Sequence, residues 1–176
     1  MVHFVRIILF FAFLLSSTAV YSGDKTVFEL GARGGVNDNR NYEDYTAGEI
    51  YLLRDLPWQM PLTQSAILRT RLDAGVTVLK AAGEQSVMLA IGGDLFVSML
   101  DDRLEFELGL RPAFLHDYKI GEDDFGGNLQ FTSHAGMTLR CQEISLSYRI
   151  QHTSNASIYE NNKGLNLHLV GLGGRF

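Results

Sequence analysis

Apolar and polar side chains alternate with a period of two along most of the chain, which is typical of strands that separate two environments. In the clearest example, even-numbered residues from Ile144 to Ile150 are apolar, whereas odd-numbered residues from Glu143 to Gln151 are polar. No stretch keeps a helical period, and turn-rich pieces separate the alternating segments. We predict strands at 26–36, 44–55, 65–79, 85–99, 103–115, 128–140, 142–154 and 164–176.

These segments predict an all-β fold, an eight-stranded antiparallel transmembrane β-barrel of the outer-membrane type. The strand number is even, as in bacterial barrels of this class. The segments are about 11–15 residues long, enough for the roughly 9–11 residues that a tilted strand needs to cross a bilayer. Charges of both signs, such as Arg71, Asp73 and Arg111, lie on the polar faces and predict a small lumen filled by ion pairs. A soluble periplasmic lipocalin-like binder is the alternative, because it uses the same alternation with the apolar face inward.

The first residues predict export. Ile7–Leu15 is an apolar run followed by small and polar residues, in the order of a secretory signal peptide with cleavage after Ser22. The run is shorter than the roughly 20 residues of a membrane-spanning helix. We therefore predict a signal peptide over 1–22 and one barrel domain over 23–176, located in the bacterial outer membrane.

Composition excludes several classes of partner. The net charge of −5 argues against nucleic acid, because no basic patch is available to neutralise phosphates. Cys141 is the only cysteine, so neither a disulfide framework nor a cysteine metal site is expected. We expect no metal and no cofactor. A homodimer of such barrels is compatible with the pattern. Aromatic residues are expected in interfacial girdles: Tyr42, Tyr45, Tyr51, Trp58 and Tyr118.

The connections predict which end of the barrel faces outward. Links near Cys141 and Asp101 are short, whereas Asn37–Glu43, His116–Gly127 and Asn155–Lys163 are longer and polar. Bacterial barrels keep short turns in the periplasm and longer loops at the cell surface. The end of the strand at 142–154 is therefore expected at the cell surface.

Two polar residues continue the apolar face of that strand. His152 and Ser154 have even numbers, so their side chains are expected to point outward. Ile144 and Ser154 are separated by roughly 33 Å along a strand, or about 24 Å across the bilayer at a tilt near 45°. Ser154 would then lie at the outer rim of the apolar band. From these residues alone a wet loop is the favoured interpretation, and a serine nucleophile with a histidine base is the chemical alternative.

The segments 152–156 (HTSNA) and 164–166 (GLN) resemble the end of the PagL-type lipid A 3-O-deacylases. The resemblance implies an outer-membrane serine esterase that removes the acyl chain at the 3-position of lipid A. Lipid A of lipopolysaccharide in the outer leaflet would be its partner. His152 would be the base and Ser154 the nucleophile. The oxyanion would be bound by Asn155 and by backbone N–H groups near it: Ala156 and Ser157.

The third catalytic member departs from the family. Asn166 occupies the position at which the family has an acid, although it shares the outward face of its strand. An asparagine carbonyl can accept the imidazole N–H and fix one tautomer, but it stabilises an imidazolium less than a carboxylate does. Glu160, in the preceding loop, is the alternative third member. A non-catalytic structural or adhesive barrel is the alternative function, and the sequence leaves open which ester and acyl length would be cut.

Overall fold

The computed structural model describes residues 20–21, 27–38 and 43–176. Eight long strands make up most of these residues: β1 (Phe28–Asn37), β2 (Thr46–Thr63), β3 (Ala66–Ala81), β4 (Glu84–Met99), β5 (Leu104–Leu115), β6 (Leu129–Cys141), β7 (Ile144–Ser154) and β8 (Leu165–Arg175). Within the described ranges, no helix is long and apolar enough to cross a membrane. The predicted signal peptide lies outside the described residues except for Val20–Tyr21, a two-residue strand paired with Gln59 and Trp58.

The strands form a closed barrel. Consecutive long strands pair antiparallel from β1 to β8, and β8 pairs back to β1 from Leu167↔Asn37 to Arg175↔Glu29. The predicted eight-stranded antiparallel barrel is therefore confirmed. In a closed barrel no strand edge is left unpaired, which removes the main route to edge-to-edge aggregation.

β2 runs further than the sequence predicted. The alternation indicated an end at residue 55, but the strand continues to Thr63 after an irregularity between Asp55 and Gln59. Pro57 lies inside this irregularity, where the missing N–H of proline removes no ladder hydrogen bond. The irregularity shifts the register, so a strict period of two could not predict the extension.

The apolar faces of the strands point outward and the polar faces point inward. On β7, Ile144, Leu146 and Ile150 are exposed, whereas Ser147 and Arg149 are buried. The same alternation covers the other strands, and the exposed large hydrophobic residues include Ile50, Ile91, Leu108, Leu139 and Leu172. A lipocalin-like barrel would have the opposite arrangement, so that alternative is wrong for this chain.

Buried ion pairs fill the half of the lumen nearer to Phe28 and Phe176. Arg149 contacts Asp73 at 2.8 Å and Glu107 at 2.6 Å, and Arg111 contacts Glu49 at 2.9 Å and Asp73 at 3.0 Å. Both arginines are completely buried. The predicted lumen network is confirmed, and its side chains fill the interior instead of lining a pore.

A buried apolar cluster lies in the opposite half of the lumen. Leu79, Met88, Leu115, Phe125 and Leu167 pack there as one buried cluster together with neighbouring residues from β2, β5 and β8. This packing gives the end of the barrel that carries the long loops a rigid interior.

Two of the predicted girdle tyrosines belong to the interior. Tyr45 and Tyr51 are each only 1% exposed. The Arg33 guanidinium lies over the ring of Tyr51, with Cζ 3.6 Å from the ring centroid, and the Tyr51 hydroxyl donates to Glu29. The girdle prediction is wrong for both residues, because Tyr51 lies on the lumen face of β2 with Glu49, and Tyr45, directly before β2, continues the same inward parity. Tyr42 lies outside the described residues.

The connections differ between the two ends of the barrel, as predicted. At one end, short turns join β2 to β3, β4 to β5 and β6 to β7. At the other end lie three longer connections, 38–45, 116–128 and 155–164, beside the tight β3–β4 turn at residues 82–83. The middle connection contains a small hairpin of Lys119–Ile120 and Asp123–Asp124. β7 ends and β8 begins at this second end.

Candidate active site

The outward face of β7 carries His152 and Ser154 directly beyond its apolar row. His152 is exposed and Ser154 is half-buried, whereas Gln151 and Thr153 between them are buried in the lumen. The alternation of β7 therefore continues to its last residue. The two side chains lie on the outer wall of the barrel at the end that carries the long loops.

Asn166 lies directly opposite His152 on the neighbouring strand. The two residues are partners in the β7–β8 ladder, and Asn166 Oδ1 is 2.7 Å from His152 Nδ1. If Asn166 Oδ1 accepts this bond, Nδ1 carries the proton and Nε2 is left as the basic nitrogen. Glu160 is exposed in the β7–β8 loop, and no contact links it to His152 among the residues that the structure describes. The structure thus brings Asn166 to the imidazole and leaves Glu160 apart from it.

Gly164 makes room for the imidazole. A Cβ atom at this position would lie 2.8 Å from His152 Cε1 and 3.4 Å from Nε2. Thr153 pairs with Leu165, so continuing the register by one residue places Gly164 opposite Ser154. The edge of the ring that carries Cε1 and Nε2 therefore faces the rung that contains Ser154.

The hydroxyl of Ser154 is uncommitted. No side-chain hydrogen bond involves Ser154 within the described part of the chain, and its Cα lies opposite Phe131 of β6. Residues two apart on a strand have Cα atoms roughly 6.6 Å apart. Contacts between a catalytic serine and its base are often long in the absence of substrate. The observed arrangement thus leaves Oγ free to turn toward Nε2.

A strained turn follows Ser154. Ala156 and Ser157 have φ values of 53° and 63°, and Ile158 N–H donates to Asn155 O at 3.1 Å. Two left-handed residues closed by such a bond define a type I′ turn. Neither residue is glycine, so each left-handed conformation costs on the order of 1 kcal/mol. No acceptor is bonded to the N–H of Ala156 or Ser157 within the described ranges, so both donors are available to a ligand.

Asn155 points into the barrel. It is fully buried, and its Nδ2 donates to Phe125 O at 2.8 Å and to Asn161 O at 2.6 Å. Its backbone N–H donates to Asn162 Oδ1 at 3.0 Å. Both kinds of donor on Asn155 are therefore engaged within the protein. In this arrangement Asn155 anchors the strained turn, while the free N–H groups belong to the two residues after it.

Besides Asn155, a second residue of the β7–β8 loop forms a hydrogen bond with the β5–β6 loop. Asn161 Nδ2 donates to Asp124 Oδ2 at 3.0 Å, and Asp124 Oδ1 accepts the Gly126 N–H at 2.8 Å. The hydrogen bond from the Gly126 N–H, and to a smaller extent the one from Lys119, hold the pKa of the Asp124 carboxyl below its usual range. These contacts fix the loop that positions Ser154.

A second polar group lies beside this site on the outer wall. Tyr148 Oη is 2.6 Å from His168 Nδ1, and His168 Nε2 is 3.1 Å from Asp38 Oδ2. Sequence reasoning placed His168 on the outward face but missed Asp38. Asp38 follows β1 with the same outward parity as Val36, and that parity was the available signal.

The lumen contains another histidine next to carboxylates. Asp73, Asp94 and His134 are buried, and one ligand atom from each lies within 4.8 Å of the others. Arg149 contacts Asp73 at 2.8 Å and lies 3.9 Å from Asp94, so positive charge already occupies this cluster. The arrangement therefore favours an ion-pair network over a cation site.

Comparisons with known proteins agree with the fold. The sequence model of a family described as lipid A 3-O-deacylase (PagL) matches residues 27–175. A crystal structure of the outer membrane enzyme PagL is similar, with a TM-score of 0.74 and 20% identity over 82% of this chain and 97% of that chain. A de novo designed transmembrane β-barrel is similar at a TM-score of 0.54 and 13% identity, over 89% of this chain and all of the design. No curated protein matches the chain.

Proposed function

The chain belongs to the lipid A 3-O-deacylase (PagL) family, and from this premise we propose that it is an outer-membrane serine esterase that removes the 3-position acyl chain of lipid A. Ser154 is the nucleophile, His152 the general base and Asn166 the residue that orients His152. The observation that carries the proposal is the 2.7 Å contact between Asn166 and an exposed imidazole two residues from an uncommitted serine.

The surroundings of the site suit a lipid substrate. Exposed apolar residues of β7 and β8, such as Ile150, Val170 and Leu172, cover the wall below His152. Acyl chains can lie against this wall while their ester linkages reach the rim. Substrate would then arrive by lateral diffusion in the outer leaflet, and the site would face the cell surface.

Acylation begins when Ser154 Oγ attacks the ester carbonyl carbon. His152 Nε2 takes the hydroxyl proton as the C–O bond forms, and the carbonyl oxygen becomes an oxyanion. The tetrahedral intermediate collapses, the bond to the sugar oxygen breaks, and the imidazolium returns the proton to that oxygen. Deacylated lipid A leaves, and the acyl chain remains as an ester on Ser154.

Deacylation repeats the same steps with water. His152 accepts a proton from the water that attacks the acyl-enzyme, and Ser154 recovers its proton when the fatty acid leaves. In both halves the oxyanion is bound by the N–H groups of Ala156 and Ser157. A donor of this kind contributes about 2.7–4 kcal/mol to transition-state stabilisation. The left-handed backbone of these two residues then orients their N–H groups toward the oxyanion.

The test compares the lipid A of cells that produce the protein, Ser154→Ala or His152→Ala, with Ser65→Ala as the control. Ser65 lies in the β2–β3 turn, away from the site, and its backbone N–H donates to Thr63 Oγ1. Mass spectrometry should show lipid A that lacks one ester-linked acyl chain with the unmodified protein and the control, and intact lipid A with the other two variants. Fragmentation identifies the position. Equal deacylation by all four proteins, or by none, would rule out the assignment, and the second result would favour a non-catalytic barrel.

A further inference from the structure

The Tyr148–His168–Asp38 chain ends on a carboxylate that is held in place. His168 contacts Tyr148 through Nδ1 and Asp38 through Nε2, so both of its ring nitrogens are engaged. The rings of Tyr148 and His168 also lie close together, with centroids 6.0 Å apart. An aspartate at an exposed rim would otherwise turn freely into water. Here its orientation is restricted by an imidazole that is itself fixed by a tyrosine.

The register places that carboxylate in the same row as the candidate active site. Val36 pairs with His168 and Asn37 pairs with Leu167, so one further step sets Asp38 beside Asn166. Asn166 in turn pairs with His152. Asp38, Asn166 and His152 therefore form a row across β1, β8 and β7. Neighbouring strands are about 4.8 Å apart, which puts the carboxylate on the order of 10 Å from the imidazole.

We infer that Asp38 is a positioning residue that supplies the negative charge that Asn166 lacks. The inference rests on the proposed function. When Ser154 gives up its proton, His152 becomes an imidazolium, and the neutral carbonyl of Asn166 orients the ring without balancing its charge. A carboxylate about 10 Å away, at an effective dielectric constant near 20, stabilises such a charge enough to change a rate by about tenfold.

The other groups around His152 do not provide this charge. On its β6 side, His152 faces Ser133, whose hydroxyl carries no charge. In the β7–β8 loop, Lys163 pairs with Asp123, and no contact links Glu160 to His152 among the described residues. The remaining titratable groups on this face of β7 and β8 are Tyr148 and His168. Tyr148 contacts His168, and His168 contacts Asp38.

The test is a double-mutant cycle with the purified, folded protein and lipopolysaccharide in detergent micelles, with released fatty acid as the readout. Asp38→Asn should lower kcat about tenfold with KM within about twofold. In an Asn166→Asp background, Asp38→Asn should lower kcat less than about twofold, because the new carboxylate at position 166 then lies against the His152 imidazole. The acid limb of the pH–rate profile should also move to lower pH in Asp38→Asn alone.

Asp44→Asn is the matched control, because Asp44 is an exposed acid in the same β1–β2 connection. It should leave kcat and the pH profile unchanged, and heat-dependent gel migration should show that all variants are folded. Equal losses from Asp38→Asn in both backgrounds, no loss at all, or the same loss from Asp44→Asn would overturn the inference while leaving the esterase intact. Failure of the unmodified protein to release fatty acid would overturn the proposed function as well.

Discussion

His134 and His152 each lie beside an oxygen atom of another strand, but His134 is buried in the lumen whereas His152 is exposed on the outer wall. His134 lies in the lumen, 5% exposed, with Nε2 3.3 Å from Asp94 Oδ1. His152 lies on the outer wall, exposed, with Nδ1 2.7 Å from Asn166 Oδ1. The buried histidine has the better partner for an imidazolium, a carboxylate, whereas the exposed one has a neutral amide.

Under the proposed function, access to substrate and a neighbouring serine matter more for a catalytic histidine than the strength of its acid partner. His134 is enclosed by Arg149, Asp73 and the lumen wall, where a lipid cannot enter. Among the described residues, the Ser154 hydroxyl and the N–H groups of Ala156 and Ser157 have no hydrogen-bond partner, and an apolar wall lies below His152. His134 is therefore part of the closed interior of the barrel, whereas His152 is the base in the proposed reaction.

The largest expected effect separates the two histidines by activity. His152→Ala should lower kcat about 10³-fold or more, because the base that activates Ser154 is lost. His134→Gln should leave kcat within about twofold, since Gln retains hydrogen-bonding groups in the lumen. Fatty-acid release from lipopolysaccharide measures both. Equal losses from the two substitutions would remove the distinction.

The next effect concerns stability. Arg149→Met leaves Asp73 and Glu107 buried with less positive charge, which should lower the free energy of unfolding by about 3–5 kcal/mol. Arg69→Met breaks a partly exposed pair with Asp102 and should cost less than about 1 kcal/mol. Urea unfolding in lipid vesicles measures the difference. Similar costs at the two sites would show that the lumen network does not stabilise the barrel.

A smaller effect tests the third member of the site. Asn166→Ala should lower kcat about 10²-fold, because His152 loses the acceptor that fixes its tautomer. Asn166→Asp should retain or raise kcat, and Glu160→Ala should leave it unchanged. Steady-state kinetics on the three variants decides the matter. A greater loss from Glu160→Ala than from Asn166→Ala would make Glu160 the partner.

The smallest of these effects comes from crowding the imidazole. Gly164→Ala places a methyl group 2.8 Å from His152 Cε1, which should displace the ring and lower kcat roughly tenfold. Gly48→Ala is the matched control, because a Cβ there meets nothing within 4 Å. Unchanged kcat in Gly164→Ala would indicate that the ring position is not critical.

The sequence predicted the parts of this molecule that depend on alternation within one strand. The outward direction of His152, Ser154 and Asn166 follows from residue parity alone. The same rule explains why Asn155, with an odd number, points inward and anchors the loop, although the family resemblance assigned it to the oxyanion. Parity was misapplied for Tyr51, whose aromatic ring suggested a girdle.

Features that depend on contacts between distant strands could not be predicted. Asp38 meets His168 only because β1 pairs with β8 and closes the barrel, which joins residues 130 positions apart. The extension of β2 beyond Asp55 depends on an irregularity that breaks the period. Nor does composition encode the strained turn at Ala156, since neither of its left-handed residues is glycine.

The most direct test of the central claim is covalent labelling of the purified protein with a lipophilic alkyl fluorophosphonate. This reagent phosphonylates a serine hydroxyl that a neighbouring base activates, and fluoride leaves. Peptide mass spectrometry should find one adduct, on Ser154, in the unmodified protein and in His134→Gln. The adduct should be strongly reduced in His152→Ala. An adduct on Ser157 or another serine, or equal labelling of Ser154 without His152, would contradict the account.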